Sequence, residues 1–238
     1  MVTLGFHTFV KSNLVNILKN DYLTSDVMEK RIHLTLTAPY HTYGTLSEDT
    51  QKIIIAFHGY GQLAKYFIQK FDFLDQDSNY VIAPQGLSKF YIKNHTRVGA
   101  SWMTKENRLL DLENQLHYVQ SVFEKETEAV DWTKVKLIVL GFSQGVATAS
   151  RWVVKNKVSF DTFIAYAGQL AYELTMDDFD FKHSEAAVIA VLGDNDPFYK
   201  GENTQQFENA FKSVFPKVKF ETFEGKHEVL RDVLKLII

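Results

Sequence analysis

Lys136-Leu137-Ile138-Val139-Leu140-Gly141-Phe142-Ser143-Gln144-Gly145 is the stretch on which the reading of this chain turns. Its first half is a short apolar run of the kind that forms a buried strand, and its second half spells G-x-S-x-G. A strand that bends sharply into a helix lifts a serine oxygen out of the sheet, and the bend leaves room only for small residues at the two outer positions. Alone, the pentapeptide is expected by chance about 0.1 times in a chain of this length. Its context raises the signal, because Val146, Ala147, Ala149, Ser150 and Val153 make a small-residue helix face able to pack closely on a sheet. Ser143 is therefore the candidate nucleophile, and a Gly-flanked structural turn is the weaker alternative.

On either side of this stretch, short β-rich runs alternate with longer amphipathic ones. The expected strands are Arg31 to Thr37, Lys52 to Phe57, Tyr80 to Ala83, Lys136 to Leu140, Thr162 to Tyr166, Ala187 to Leu192 and Val218 to Phe223. Between them, Leu109, Leu112, Leu116, Val119 and Phe123 recur at helical spacing, as do Phe207, Ala210, Phe211 and Val214, and then Val229, Val233 and Ile237. This alternation predicts an α/β fold, a mostly parallel central sheet with helices on both faces. With 238 residues, 45% of them hydrophobic, and no internal repeat or Pro/Gly-rich linker, one domain over 1–238 is expected, residues 1–50 being an N-terminal extension and first strands.

Leu87 to Arg108 reads as a long loop whose aromatics Phe90, Tyr91 and Trp102 either line an acyl pocket or anchor the loop in the core. Gly168 to Glu185 is too short for a separate cap domain, so an open site is expected.

Composition narrows the chemistry. A formal net charge of -3 offers no long-range attraction for nucleic acid or an anionic membrane. The absence of cysteine removes disulfides, thiol nucleophiles and thiolate metal sites together. Met1 to Leu18 lacks the pattern of a secretory signal, and no apolar run approaches the ~20 residues of a membrane span, so a cytoplasmic protein without stable membrane insertion is expected.

A serine hydroxyl needs a base, and histidine oriented by a carboxylate is the usual partner. Of eight histidines, His227 stands just beyond the strand ending at Phe223, at the carboxyl edge where sheet-borne sites gather. His7, His33, His41, His95, His117 and His183 stand alone in polar surroundings, and no His and carboxylate cluster has zinc spacing, so neither metal nor cofactor is expected. Gly193-Asp194-Asn195-Asp196-Pro197 offers two aspartates at the same edge. Asp196 lies further into the loop and is the preferred orienting carboxylate, whereas Asp194 suits a turn-forming role. The order Ser143, Asp196, His227 is that of the α/β-hydrolases. His58-Gly59-Tyr60-Gly61 follows another buried strand, and with the residue after the nucleophile it places the oxyanion donors on the backbone N–H groups of Tyr60 and Gln144.

These motifs, together with Ala83-Pro84-Gln85-Gly86, Gly168-Gln169-Leu170 and Gly225-Lys226-His227, resemble the phospholipase/carboxylesterase group of α/β-hydrolases, which includes acyl-protein thioesterases. The resemblance runs from about Lys52 to His227 and implies Ser143, Asp196 and His227 as a triad and Tyr60 and Gln144 as oxyanion donors; Trp102, Gln169 and Leu170 are the candidate residues of the substrate pocket. Gln62 stands where the thioesterases usually carry aspartate. The expected activity is cleavage of a small-molecule carboxylic ester of short to medium acyl chain without a cofactor. Thioesterase, lysophospholipase, peptidase and non-catalytic binding module are the alternatives.

Overall fold

The computed structural model describes residues 28–238. Met1 to Leu18 and His7 lie outside the described residues. The chain divides into two compact units, Met1–Thr37 and Ala38–Ile238. In the first, residues 28–37 are exposed and form no regular element. The strand expected over Arg31 to Thr37 is therefore absent. Ile32, Leu34 and Leu36 alternate as a strand would, but they are 84, 73 and 63% exposed, and alternation becomes a strand only where a neighbour supplies the ladder.

The second unit is built on a seven-stranded sheet. Its strands are β1 (Tyr40–Tyr43), β2 (Lys52–Phe57), β3 (Asn79–Pro84), β6 (Lys136–Phe142), β7 (Thr162–Tyr166), β8 (Ala187–Gly193) and β9 (Lys219–Phe223), ordered β1-β3-β2-β6-β7-β8-β9. Only β1 runs antiparallel to its neighbour. Residues 53–57 of β2 are wholly buried, as a strand covered on both faces must be, and this is why its sequence is a continuous apolar run.

The helices are α1 (Ala64–Phe67), α2 (Arg108–Thr127), α3 (Gln144–Asn156), α4 (Glu202–Val214) and α5 (Arg231–Ile237). Leu112, Leu116, Val119 and Phe123 form the buried face of α2, while Leu109, one turn too early, is 79% exposed. Among the described residues no helix is long and apolar enough to cross a membrane.

The stretch expected as a loop over Leu87 to Arg108 contains a β-hairpin, β4 (Ser88–Ile92) paired antiparallel with β5 (Arg97–Ser101). Between β7 and β8 there is only a 3-10 turn at Asp177–Phe179, so no large cap is present. β2 and β6 are adjacent, and the chain leaves them toward opposite edges of the sheet, β3 on one side and β7 on the other. Such a switch point opens a crevice beyond the carboxyl ends of the strands.

Candidate active site

The crevice is occupied by the elbow between β6 and α3. Ser143 has φ 53° and ψ −120°, a region that costs a non-glycine residue of order 1–3 kcal/mol and persists only where the surroundings over-determine it. They do so here. Ser143 N donates to Tyr166 O at 2.9 Å and Val146 N to Ser143 O at 3.0 Å. A Cβ on Gly145 would lie 2.3 Å from Phe57 O, and one on Gly141 would lie 2.5 Å from Val146 Cα. The two outer glycines are thus required by close backbone approach, of helix to β2 in one case and of strand to helix in the other.

Three side chains from three strand ends meet at this elbow. His227 Nε2 lies 2.9 Å from Ser143 Oγ, and His227 Nδ1 lies 2.6 Å from Asp196 Oδ2. Asp196 is fully buried, and its other oxygen accepts from Phe198 N at 2.9 Å. This leaves His227 Nδ1 as the protonated nitrogen and Nε2 as the acceptor facing the serine. The imidazole packs against the rings of Phe142 and Phe198, with centroids at 5.1 and 4.7 Å, and its loop is tied down by Leu230 N donating to Tyr166 Oη at 3.2 Å. Asp194 does not touch His227. Its Oδ1 accepts from Gly225 N at 3.0 Å and from Asn195 Nδ2 at 2.8 Å, so it fastens the β8 turn to the β9 turn.

Gln144 N belongs to the first residue of α3, where backbone N–H groups have no intrahelical partner. Tyr60 N donates no hydrogen bond among the described residues. The segment carrying Tyr60 is fixed from several sides: Gly59 N donates to Gln62 Oε1 at 2.9 Å and Gly61 N to Ala100 O at 2.8 Å. The Tyr60 side chain itself is 61% exposed and packs against Phe90.

Trp102 does not line the cleft. It is fully buried, its Nε1 donates to His58 O at 2.8 Å, and its ring lies 4.8 Å from the His58 imidazole. An indole so placed supports the Tyr60 segment and cannot wall an acyl pocket. The hairpin that carries it also grips the elbow, because the Gln144 side chain bonds Ser101 Oγ, Trp102 N and Met103 O.

His58 is a second buried support. Its Nδ1–H donates to Gly59 O at 2.8 Å and its Nε2 accepts from Gly86 N at 3.0 Å, which leaves no place for a second proton. Burial pushes its pKa down to about 4. An unfolded chain binds that proton below about pH 6.5, so stability should fall as pH drops from about 6.5 toward 4, by up to about 3 kcal/mol. Denaturant unfolding of wild type and His58→Gln between pH 7.5 and 4.5 tests this. The wild type should lose stability more steeply over that range, and equal slopes would show that His58 accepts a proton in the folded state.

The cleft beside Ser143 and His227 has a volume of about 390 Å³. Gln169 and Leu170 line it, as do two residues the sequence reading passed over, Arg108 and Arg151. Arg151 had a usable signal, since Ala147 and Arg151 follow Ser143 at spacings of four along one helix face. Among the described residues, no cluster of three or more His, Asp or Glu is arranged to hold a metal ion.

A mostly parallel sheet with a serine elbow at its switch point and no large cap defines an α/β-hydrolase. Over residues 45–238 the chain matches the phospholipase/carboxylesterase family, and it belongs to that family. Among solved structures it is similar to a phospholipase/carboxylesterase from Dyadobacter fermentans, at 22% identity and TM-score 0.59, covering 86% of this chain and 96% of that one. It is also similar to Zea mays acyl-protein thioesterase 2, at 16% identity and TM-score 0.61, covering 84% of this chain and 96% of that one. Esterase PE8 is similar at 16% identity and TM-score 0.62, covering 86% of this chain and 96% of that one. No curated protein matches the chain.

Proposed function

We propose that this protein is a cofactor-independent serine hydrolase that cleaves small-molecule carboxylic esters of short to medium acyl chain in the cytoplasm. The observation that carries this is the unbroken hydrogen-bonded series from Ser143 through His227 to the buried Asp196, opening onto a cleft.

In this mechanism Ser143 Oγ attacks the acyl carbonyl while His227 Nε2 takes its proton. Asp196 holds the imidazolium through Nδ1–H, and Tyr60 N and Gln144 N receive the developing oxyanion, each donor being worth about 3 kcal/mol of barrier. His227 then returns the proton to the leaving alcohol, and water, deprotonated by the same imidazole, resolves the acyl-enzyme. The cleft is small, about 390 Å³, and no large cap extends it over the elbow, which supports short and medium acyl chains.

Intact mass after treatment with a fluorophosphonate tests the reading. One adduct, placed at Ser143 by peptide mapping, is the expected result. Unmodified protein would make the chain a non-catalytic module of hydrolase fold. A panel of esters of graded acyl length, beside thioesters and peptide amides, then tests the substrate class, and faster turnover of thioester or amide than of ester would overturn it.

A further inference from the structure

The lining of the cleft is cationic. Arg108 and Arg151 both line it, and its lining contains no carboxylate side chain. One carboxylate pairs with the two guanidiniums. Glu173 pairs two-pronged with Arg151, Nε to Oε1 at 2.5 Å and Nη2 to Oε2 at 3.0 Å. That hydrogen bonding holds the Glu173 carboxyl below the usual carboxylate range, so Glu173 is charged at neutral pH. Arg151 is thereby neutralised.

Arg108 is not. Among the described residues its nearest carboxylate oxygen is that same Glu173 Oε2, already engaged, at 4.0 Å. Arg108 instead lies over the Tyr172 ring, with its Cζ 5.1 Å from the centroid, and its Nη1 donates to Tyr172 Oη at 2.9 Å. Stacking and that hydrogen bond set the guanidinium against the Tyr172 ring without cancelling its charge. The three groups together carry one net positive charge beside the cleft.

We propose that Arg108, braced on Tyr172, is an anion-binding subsite of this cleft, and that the ester cleaved here bears a carboxylate on its acyl or alcohol part. The inference rests on the ester-hydrolase reading above and adds the charge of the substrate to it. A planar carboxylate matches the guanidinium fork, and its single charge matches the single uncompensated charge of the site. A phosphate dianion would leave one negative charge unmatched.

Two pairs of activated esters test this, each pair differing only in a carboxylate against its methyl ester: 4-nitrophenyl hydrogen glutarate with 4-nitrophenyl methyl glutarate for the acyl side, and 4-acetoxybenzoate with methyl 4-acetoxybenzoate for the alcohol side. The quantity read is the ratio of kcat/KM, anionic over neutral, within each pair. Wild type is expected to favour the anionic member of one pair by roughly 10-fold, as a charge-assisted hydrogen bond would give. Arg108→Gln should bring that ratio to near one, and Arg108→Glu should invert it. Raising the salt concentration should shrink the wild-type ratio, since the site is open to solvent.

Turnover of both members of both pairs without preference, or a preference that survives Arg108→Gln, would overturn the subsite while leaving the hydrolase reading intact. Absence of turnover on all four esters, together with no fluorophosphonate adduct, would instead overturn the hydrolase reading itself.

Discussion

Ser143→Ala is expected to lower kcat on an activated short-chain ester by about 10⁶ while leaving the protein folded, because the nucleophile, its base and the orienting carboxylate act as a unit. The Ser143 side chain makes one hydrogen bond, to His227, and packs no core. Alanine at φ 53° is strained much as serine is, so the change in stability should stay within about 0.5 kcal/mol. The measurement is kcat and thermal midpoint on the same preparation. Retention of more than a few per cent of activity would remove Ser143 from the nucleophile's role.

Asp196→Asn carries the next largest effect, a loss of up to about 10⁴ in kcat. In wild type one carboxylate oxygen faces His227 Nδ1 and the other takes the Phe198 amide. An amide can still serve Phe198 N with its oxygen, but its NH₂ then points at Nδ1 and forces the proton onto Nε2, where the serine proton has to go. Asp194→Asn is the matched control. Asparagine keeps an oxygen for Gly225 N and Asn195 Nδ2, so this change should act on the thermal midpoint more than on rate. A deep loss of kcat confined to Asp194→Asn would exchange the two assignments.

Parts of this structure were legible in the amino-acid sequence for definite physical reasons. β2 and β6 are buried on both faces, so their sequences are uninterrupted apolar runs that polar alternation cannot mask. The elbow was legible because only glycine tolerates contacts as close as that of Gly145 with Phe57 O. Asp196 and His227 were found together because both follow strands that end on one edge of a parallel sheet.

Other parts were hidden. β1, Tyr-His-Thr-Tyr, is a short edge strand with no apolar run to announce it, and the residues that do alternate, Ile32, Leu34 and Leu36, remain exposed. The β4 and β5 hairpin hides in a polar stretch because, apart from one bridge between Ala100 and Gln62, its strands pair with each other and leave much of their surface in water. Trp102 could not be assigned from sequence, since whether an indole faces a cleft or a backbone carbonyl depends on a contact 44 residues away. Arg108 and Glu173 are 65 positions apart, and their uneven charge balance exists only once the segment following β7 folds back over α2.

On the proposed mechanism, the spacing of the site along the chain also sets when chemistry can begin. During synthesis the elbow emerges well ahead of its base, because His227 lies 84 residues beyond Ser143, and the strand that delivers His227 is the outermost of the sheet, paired with β8 alone. Contacts of such separation form late, after the costly closure of the intervening chain. Until β9 has docked, Ser143 is an ordinary alcohol beside no base. If Ser143 is the nucleophile proposed above, a half-made molecule holds it in a chemically silent form until that last sheet edge closes.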